Sequence, residues 1–225
     1  MTPRVAILIS GRGSNMAALA ESVREGLLAG CCEIAAVISS RPGARGLEKA
    51  RELGLETIAL DARGLGREAY DDALLTALAR VRTDVVVLAG YMRILSPRVV
   101  AAYRGSMLNI HPADTTRHQG LGGYDWAFEQ KLPATKITVH LVDEGLDTGA
   151  ILMQRDVDLR GADTLAEVER RGLAVEHDLY PEALKSFLDD FRSQRSEIRS
   201  SNTDLNPEPR HLTVTTLPRT LTSEP

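Results

Sequence analysis

The first half of the chain alternates short apolar runs with segments of helical periodicity. The run Asp84–Ala89 (DVVVLA) is apolar almost throughout, which is typical of a strand covered on both faces of a parallel sheet. The segment Arg67–Val81 places large apolar side chains at helical spacing. Because strand and helix patterns follow each other in the order β-α-β-α-β-α-β, we predict a doubly wound, Rossmann-like α/β fold with a mostly parallel sheet.

The remaining elements follow from the same patterns. Further strands are predicted over Arg4–Ile9, Glu33–Ile38, Glu56–Leu60 and Ser106–Ile110, and further helices from Ser14 or Asn15 to about Leu28 and over Arg45–Leu53. Residues 111–123, which are polar and rich in glycine, predict a long loop. Lys136–Val142 and Ile151–Leu159 predict antiparallel strands, because the connector between them is short. Thr164–Phe191 predicts a long helix, bent or broken at Tyr180-Pro181.

Composition excludes several classes of protein. The 225 residues carry a net charge of −4, which disfavours general nucleic-acid binding, and no apolar run reaches the roughly 18 residues of a membrane span. The N-terminal segment lacks the features of a signal peptide. The two cysteines, Cys31 and Cys32, are adjacent, and no Cys/His set has zinc spacing. We expect a cytoplasmic protein that uses no metal and binds neither membrane nor nucleic acid.

The chain divides into a domain over residues 1–191 and a tail over residues 192–225. The tail has no aromatic residue, eleven Ser or Thr and four Pro. A segment of this composition cannot bury enough apolar surface to order itself, so we expect it to be disordered.

The first candidate site is the loop from Ser10 to Asn15 (SGRGSN), between the first strand and the first helix. Backbone N–H groups and the helix dipole favour an anion at such a position, and Gly11 and Gly13 let a ligand approach the backbone. The loop is neither a P-loop nor a good dinucleotide fingerprint. From these residues alone, a phosphate site and a plain tight turn remain equally open.

The second candidate site combines Asn109, His111 and Asp147. Asn109 and His111 stand two apart at a strand end, so their side chains point the same way at the carboxyl edge of the sheet, where α/β folds bind ligands. Asp147 lies in the glycine-flanked connector and is a suitable carboxylate to orient a histidine. Taken one at a time, each residue is better explained by structure: Asn109 as a turn residue, His111 as a core histidine and Asp147 as a hairpin turn residue. Taken together, the three favour a functional site.

Four motifs in order, SGRGSN, GYMRILSP, LNIHP and VHLVDEGLDTG, resemble the phosphoribosylglycinamide formyltransferase family over about residues 4–190. The resemblance implies transfer of a formyl group from 10-formyltetrahydrofolate to the amine of glycinamide ribonucleotide, without a metal. It implies that Gly13, Ser14 and Asn15 hold the substrate phosphate, that Glu176 contacts the same substrate, and that Asn109, His111 and Asp147 are catalytic. The folate residues that it implies are Arg67, Met92, Arg93, Ile94, Leu95, Asn109, Asp143, Glu144, Gly145, Leu146 and Asp147.

One segment departs from the family pattern. After His111-Pro112 the family usually continues Ser-Leu-Leu-Pro, whereas this chain has Ala-Asp-Thr-Thr at 113–116. The acceptor amine therefore stays open, and two alternatives are a formyltransferase for another amine and a formyltetrahydrofolate hydrolase. The phosphate loop disfavours the hydrolase, and the catalytic trio disfavours a non-catalytic nucleotide-binding module. We also predict that Asp147 raises the pKa of His111 above its reference of about 6.5.

Overall fold

A computed structural model describes the backbone of residues 2–203 and the side chains of residues 2–194. Strands β1 to β5 are Arg4–Ile9, Glu33–Ser39, Thr57–Ala59, Val85–Leu88 and Met107–His111; β6 is Ala134–Leu141 and β7 is Ile151–Asp158. They form one sheet in the order β3-β2-β1-β4-β5-β6-β7. Neighbours from β3 to β5 are parallel, and β6 and β7 join antiparallel. The predicted fold class and its antiparallel edge are confirmed.

Helices cover both faces of the sheet. In the described residues they are α1 Ser14–Glu25, α2 Arg45–Glu52, α3 Arg67–Arg80, α4 Pro97–Ala102, α5 Gly123–Glu129 and α6 Leu165–Thr203. Successive strand residues point to opposite faces, so β1 supplies both cores. Ile7 packs in the core built with α1, α2 and α6, whereas Leu8 packs in the core built with α3 and α4. Burial of these two apolar cores stabilises the layered arrangement.

Two short helices were not predicted. Ser96 begins α4 by accepting a hydrogen bond from the Val99 N–H at 3.4 Å, and Pro97 occupies its first turn. Helix α5 begins after Gly122, inside what reads as loop sequence, because Gly122 adopts a φ of 77° that favours glycine. Helix α1 ends at Glu25, before the predicted end near Leu28, where Gly26 leaves the helical conformation.

Helix α6 continues through Tyr180-Pro181, where the sequence predicts a bend or a break, so the break is wrong. The Tyr180 hydroxyl attaches this part of the helix to the sheet, because it donates to the backbone oxygens of Leu88 at 2.9 Å and Leu108 at 3.3 Å. The helix also runs past Phe191 to Thr203, so the first part of the predicted tail, residues 192–203, is helical. The rest of that tail, residues 204–225, lies outside the described residues. No helix of the described part has both the length and the apolar composition that crossing a bilayer requires.

Candidate functional site

The end of β5 presents the first two candidate side chains at the carboxyl edge of the sheet. Asn109 and His111 alternate with the buried Leu108 and Ile110, so both project to the same side. The antiparallel register with β6 places His140 directly opposite Asn109. Sheet geometry therefore brings an amide and two imidazoles together.

Asp147 joins this group from the connector between β6 and β7. Its carboxylate lies 3.3 Å from Nδ1 of His111 and 3.4 Å from Nε2 of His140. It accepts hydrogen bonds from Nδ2 of Asn109 at 3.2 Å and from the backbone N–H of Gly120 at 2.8 Å. Asp147 has a φ of 52°, a left-handed conformation that non-glycine residues adopt infrequently. The three residues predicted to form a site are in contact.

Burial, hydrogen bonds and neighbouring charges shift the pKa values of Asp147 and His111. Burial alone would raise the pKa of Asp147, but hydrogen bonds from His140 and the Gly120 N–H, with the charge of His111, outweigh it and lower the pKa. Burial also lowers the pKa of His111 below 6.5, although the Asp147 charge and the hydrogen bond to His118 act to raise it. The prediction of a raised His111 pKa is therefore wrong: Asp147 acts in the predicted direction, but desolvation of the imidazolium is larger.

The orientation of His111 depends on a loop residue. Nε2 of His111 lies 3.1 Å from the backbone oxygen of His118, while its Nδ1 faces the Asp147 carboxylate. The His118 ring stacks on Trp126, with centroids 4.8 Å apart, and its Nε2 lies 3.1 Å from the backbone oxygen of Leu121. Helix α5 thus anchors the loop that contacts His111.

Sequence reasoning missed two members of this site. His140 reads as a structural histidine inside an alternating strand, but its Nε2 lies 3.2 Å from Nδ2 of Asn109 as well as near Asp147. Its position could follow only from the β5–β6 register, which alternation alone does not fix. Trp126 lies on the unpredicted α5, and no motif marked it. The described residues contain no group of three His, Cys, Asp or Glu side chains placed to hold a metal ion.

The predicted phosphate loop leads directly into α1. Gly13 is the N-cap residue with a φ of 72°, and an added Cβ would lie 2.8 Å from the Cα of Gly46. Both the backbone conformation and the close approach of the α2 backbone therefore require glycine. Ser14 and Asn15 form the first turn of α1, whose N–H groups are available to an anion.

Glu176 is buried beneath this loop. Its carboxylate accepts hydrogen bonds from Nδ2 of Asn15 and from the Tyr124 hydroxyl. Burial raises its pKa, and those two hydrogen bonds only partly oppose the rise. The Oδ1 atom of Asn15 is buried without a hydrogen-bond partner. An unpaired buried acceptor is costly, so a ligand that donates a hydrogen bond would find a favourable partner here.

The residues that the resemblance assigns to folate lie along the same edge. Met92 and Ile94 are 54% and 76% exposed, which is unusual for large apolar side chains. The Met92 N–H donates to Oγ of Ser10, and Nη2 of Arg67 donates to the backbone oxygen of Leu95 at 3.3 Å. The guanidinium of Arg93 stacks over the Tyr70 ring at 4.2 Å. Arg67 is thus joined to residues 92–95 across the predicted pocket.

The β6–β7 connector forms the other wall. Oδ1 of Asp143 accepts from the Gly145 N–H at 3.0 Å and from Oγ1 of Thr148 at 2.7 Å, which closes the turn. An added Cβ at Gly145 would collide with the Thr148 side chain. Glu144 pairs with Arg104, and Leu146 is 51% exposed. The connector is therefore held by its own side chains, so its backbone can be presented to a ligand.

Comparison with known proteins identifies the family. The model of the formyl transferase family matches residues 3–184. Phosphoribosylglycinamide formyltransferase of Escherichia coli (strain K12) is 37% identical over 186 residues, which are 82% of this chain and 87% of that protein. The chain belongs to the formyl transferase family. The trifunctional purine biosynthetic protein adenosine-3 of Drosophila melanogaster is 38% identical to this chain over 182 residues. That match covers 80% of this chain but only 14% of the longer trifunctional protein.

Solved structures agree with this assignment. Glycinamide ribonucleotide transformylase 1 from Symbiobacterium toebii superposes on the formyl transferase with a TM-score of 0.80, at 37% identity, over 84% of this chain and 89% of that one. Phosphoribosylglycinamide formyltransferase from Brucella melitensis gives 0.77 at 41% identity, over 84% and 96% of the two chains. The sequence resemblance to the phosphoribosylglycinamide formyltransferase family is confirmed.

Proposed function

We propose that this protein transfers the formyl group of 10-formyltetrahydrofolate to the amine of glycinamide ribonucleotide, a step of purine biosynthesis. The observation that carries the proposal is the contact of Asp147 with His111 and Asn109 at the carboxyl edge of the sheet, beside the free N-terminus of α1. Relatives and solved structures that bear this activity in their names match most of the chain.

The acceptor would bind between α1 and the catalytic trio. Its phosphate would lie on the N–H groups of Gly13, Ser14 and Asn15, where the helix dipole favours an anion. Glu176 would contact the same substrate beneath the loop. The unpaired Oδ1 of Asn15 supports a substrate that also donates a hydrogen bond there.

The folate would bind between residues 92–95 and the β6–β7 connector. Exposed Met92, Ile94 and Leu146 offer apolar surface to flat aromatic rings, with Arg67 and Arg93 near them. The backbone of Asp143–Asp147 would hydrogen-bond the polar ring system, and Glu144, Gly145 and Asn109 belong to the same wall. This combination of apolar surface and backbone polar groups suits folate, which is here a co-substrate.

The protonation states assign the chemical roles. Attack of an amine on a formyl carbon forms a tetrahedral oxyanion and requires the amine to lose a proton. The lowered pKa of His111 favours the neutral imidazole, which would accept that proton, directly or through water, at Nε2 once the His118 carbonyl oxygen 3.1 Å away has given way to substrate. The resulting imidazolium would be stabilised by Asp147 at Nδ1, and its Nε2–H can then support the oxyanion.

Asn109 would supply a further hydrogen bond to the oxyanion. Its Nδ2 lies 3.2 Å from both Asp147 and His140. Since an amide nitrogen carries two N–H groups, one of these contacts has to give way when substrate arrives.

The test is absorbance on mixing the protein with 10-formyltetrahydrofolate, with and without glycinamide ribonucleotide. Loss of the formyl group only with this amine supports the proposal. Loss without any amine supports a hydrolase, and loss only with a different amine supports another acceptor. No loss under any condition supports a binding module. In a second experiment, residues 113–116 are replaced by the family sequence Ser-Leu-Leu-Pro. A change in kcat/KM for glycinamide ribonucleotide would show that this loop selects the acceptor.

We propose a cytoplasmic location, which suits a chain whose two cysteines are adjacent and form no disulfide framework. We also propose that the catalytic domain ends near residue 191 and that the following residues take no part in catalysis.

A further inference from the structure

A buried polar cluster joins three helices beside the proposed acceptor site. Glu176 of α6 is buried, and its two carboxylate oxygens accept one hydrogen bond each. One comes from Nδ2 of Asn15 on α1, and the other comes from the hydroxyl of Tyr124 on α5. Asn15 and Glu176 belong to the proposed acceptor site, whereas Tyr124 lies in none of the sequence motifs. Its role has to follow from the contacts that it makes.

Tyr124 reaches Glu176 through a gap in the surface of α6. An added Cβ at Gly172 would collide with the ring and the hydroxyl of Tyr124, so the tyrosine packs directly on the helix backbone. Residues four apart lie on one face of a helix, and the gap at Gly172 therefore leads the hydroxyl to the carboxylate one turn later. Burial, with the charge of Glu176, raises the pKa of the Tyr124 hydroxyl, which keeps it a hydrogen-bond donor.

The contact with Glu176 determines which end of the Asn15 amide is free. An ionised carboxylate accepts hydrogen bonds and donates none, so it holds the amide nitrogen and leaves Oδ1 on the other side. This Oδ1 is buried without a partner, in the first turn of α1 where the phosphate of the acceptor is proposed to bind. The arrangement suits an acceptor that donates a hydrogen bond to Asn15.

The Tyr124 hydroxyl also favours the ionised form of Glu176. Burial raises the pKa of this carboxyl, and the hydrogen bond from Tyr124 opposes the rise more than the one from Asn15 does. Without the hydroxyl, the pKa would rise further and the carboxyl would hold a proton more readily. A protonated carboxyl can donate to Oδ1 of Asn15, which would turn the amide over and present an N–H to the acceptor in place of an oxygen.

We propose that Tyr124 is a positioning residue for the acceptor: by holding Glu176, it keeps Oδ1 of Asn15 free to accept a hydrogen bond from the substrate. It acts through two buried side chains and stays away from the reacting atoms. The inference deepens the proposed function and rests on it. Because the folate is proposed to bind between residues 92–95 and the β6–β7 connector, the effect of Tyr124 should be confined to the acceptor.

The experiment measures kcat and both KM values in the native protein and in Tyr124→Phe, which keeps the ring beside Gly172 and removes only the hydroxyl. We expect the KM for glycinamide ribonucleotide to rise roughly fivefold to tenfold, the scale of one lost hydrogen bond to a charged group. The kcat and the KM for 10-formyltetrahydrofolate should stay the same. The matched control is Tyr103→Phe, which removes a hydroxyl on the opposite face of the sheet and should change none of the three.

A double variant tests the route through Glu176. Glu176→Met should raise the KM for glycinamide ribonucleotide by itself, because methionine has no carboxylate to hold Asn15. Adding Tyr124→Phe to it should raise this KM no further, since the group on which the hydroxyl acts is gone. An undiminished effect of Tyr124→Phe in this background would show that the tyrosine contacts the acceptor itself, and the inference would be wrong.

Equal KM values for glycinamide ribonucleotide in the native protein and in Tyr124→Phe would also overturn the inference, and they would leave the transfer activity standing. A fall in kcat together with a rise in both KM values would show that the hydroxyl serves only the packing of α5 on α6, which is again a failure of the inference alone. Absence of formyl transfer to this amine by the native protein would overturn the proposed function, and the inference with it.

Discussion

Asp147 determines the geometry of the candidate site at the scale of single residues. It contacts two histidines and an asparagine, and it does so from a left-handed backbone conformation. Aspartate and asparagine tolerate this conformation better than most residues. The connector can therefore deliver a carboxylate to His111 without glycine at this position.

We predict that Asp147→Asn lowers kcat by roughly 10²–10⁴, the scale of a lost proton-transfer partner. Asparagine keeps the backbone conformation and side-chain size but removes the charge, so the pKa of His111 should fall further below its present value. Enzyme kinetics and an NMR titration of His111 measure the two effects.

The control for this variant is Asp156→Asn, the same change at an exposed position of β7, which should leave both kcat and the His111 titration unchanged. An unchanged pKa of His111 in Asp147→Asn would mean that the carboxylate does not act on the imidazole. His111→Ala should lower kcat as much as Asp147→Asn does. The double variant should be little worse than either single one, because the two residues act as a unit.

Helix α5 stabilises the loop that contacts His111, and Trp126 is its point of contact. We predict that Trp126→Leu lowers kcat roughly 10- to 100-fold, because loss of the His118–Trp126 stack lets the His118 backbone move away from His111. Steady-state kinetics checks this, with Phe128→Leu on the same helix as control. Equal losses in the two variants would indicate general loosening of α5.

The N-terminus of α1 gives a prediction for the acceptor. Gly13→Val is a poor test, because a side chain there meets the Gly46 backbone and would disturb packing of α1 against α2. Ser14→Asp is sharper: a carboxylate suits a helix N-terminus but repels a phosphate. We expect KM for the phosphorylated amine to rise at least tenfold, since like charges at close range disfavour binding. The KM for folate should stay the same, and Ser14→Asn should have little effect; equal rises for both substrates would refute a phosphate site.

Periodic elements were predictable from the sequence because their burial is regular. The apolar run of β4 and the spacing of Tyr70, Leu74 and Leu78 in α3 each correspond to a buried face. Helices α4 and α5 have six and seven residues, fewer than two full turns, so the apolar spacing does not repeat and periodicity could not mark them. The Ser96-Pro97 pair was an available start signal for α4.

Contacts between residues on different strands were predictable only where the residue types pointed to one chemical reaction. Asn109, His111 and Asp147 could be grouped because their types and strand-end positions suit one reaction. His140 could not, because its inclusion depends on the β5–β6 register. The predicted direction of the His111 pKa shift was wrong for a related reason. The sequence indicates a charged neighbour, but it does not show how deeply the imidazole is buried.

The extent of the domain is a question about the whole molecule. Phe187 and Phe191 stack with centroids 5.8 Å apart and pack against the core, and Nη2 of Arg192 donates to the Gly30 backbone oxygen. We predict that a chain ending after Arg195 keeps its melting temperature and activity. A chain ending after Lys185 should be destabilised by several kcal/mol, because the buried Leu188 is lost with both phenylalanines. A large drop in the first truncation would show that the later residues dock on the domain.

Stability of the whole molecule should fall as the pH drops below 6.5. Burial lowers the pKa values of both His111 and His177 below 6.5, so the unfolded chain takes up protons that the folded chain resists. From about one pH unit above the reference pKa of 6.5, both imidazoles are neutral in either state and the full stability is present. Below it, the buried His111 can remove up to about 1.4 kcal/mol per pH unit until it is protonated in the folded state, whereas the half-exposed His177 contributes less.

Urea unfolding at pH 7.5, 6.5 and 5.5 and constant ionic strength measures this dependence. The carboxyl groups of Asp114 and Asp147, whose pKa values are lowered, stay ionised in both states over that range and contribute only near and below pH 4, so they do not mask it. His177→Gln should make the decline in stability shallower, because one of the two histidines with a lowered pKa is gone. The catalytic trio is unchanged in this variant. Glu176, whose raised pKa stabilises the folded state as the pH falls, acts in the opposite direction, so the series is repeated in Glu176→Gln. A stability that is flat from pH 7.5 to 5.5 in that variant would mean that His111 is charged in the folded protein. Catalysis by His111 would then have to begin from the imidazolium.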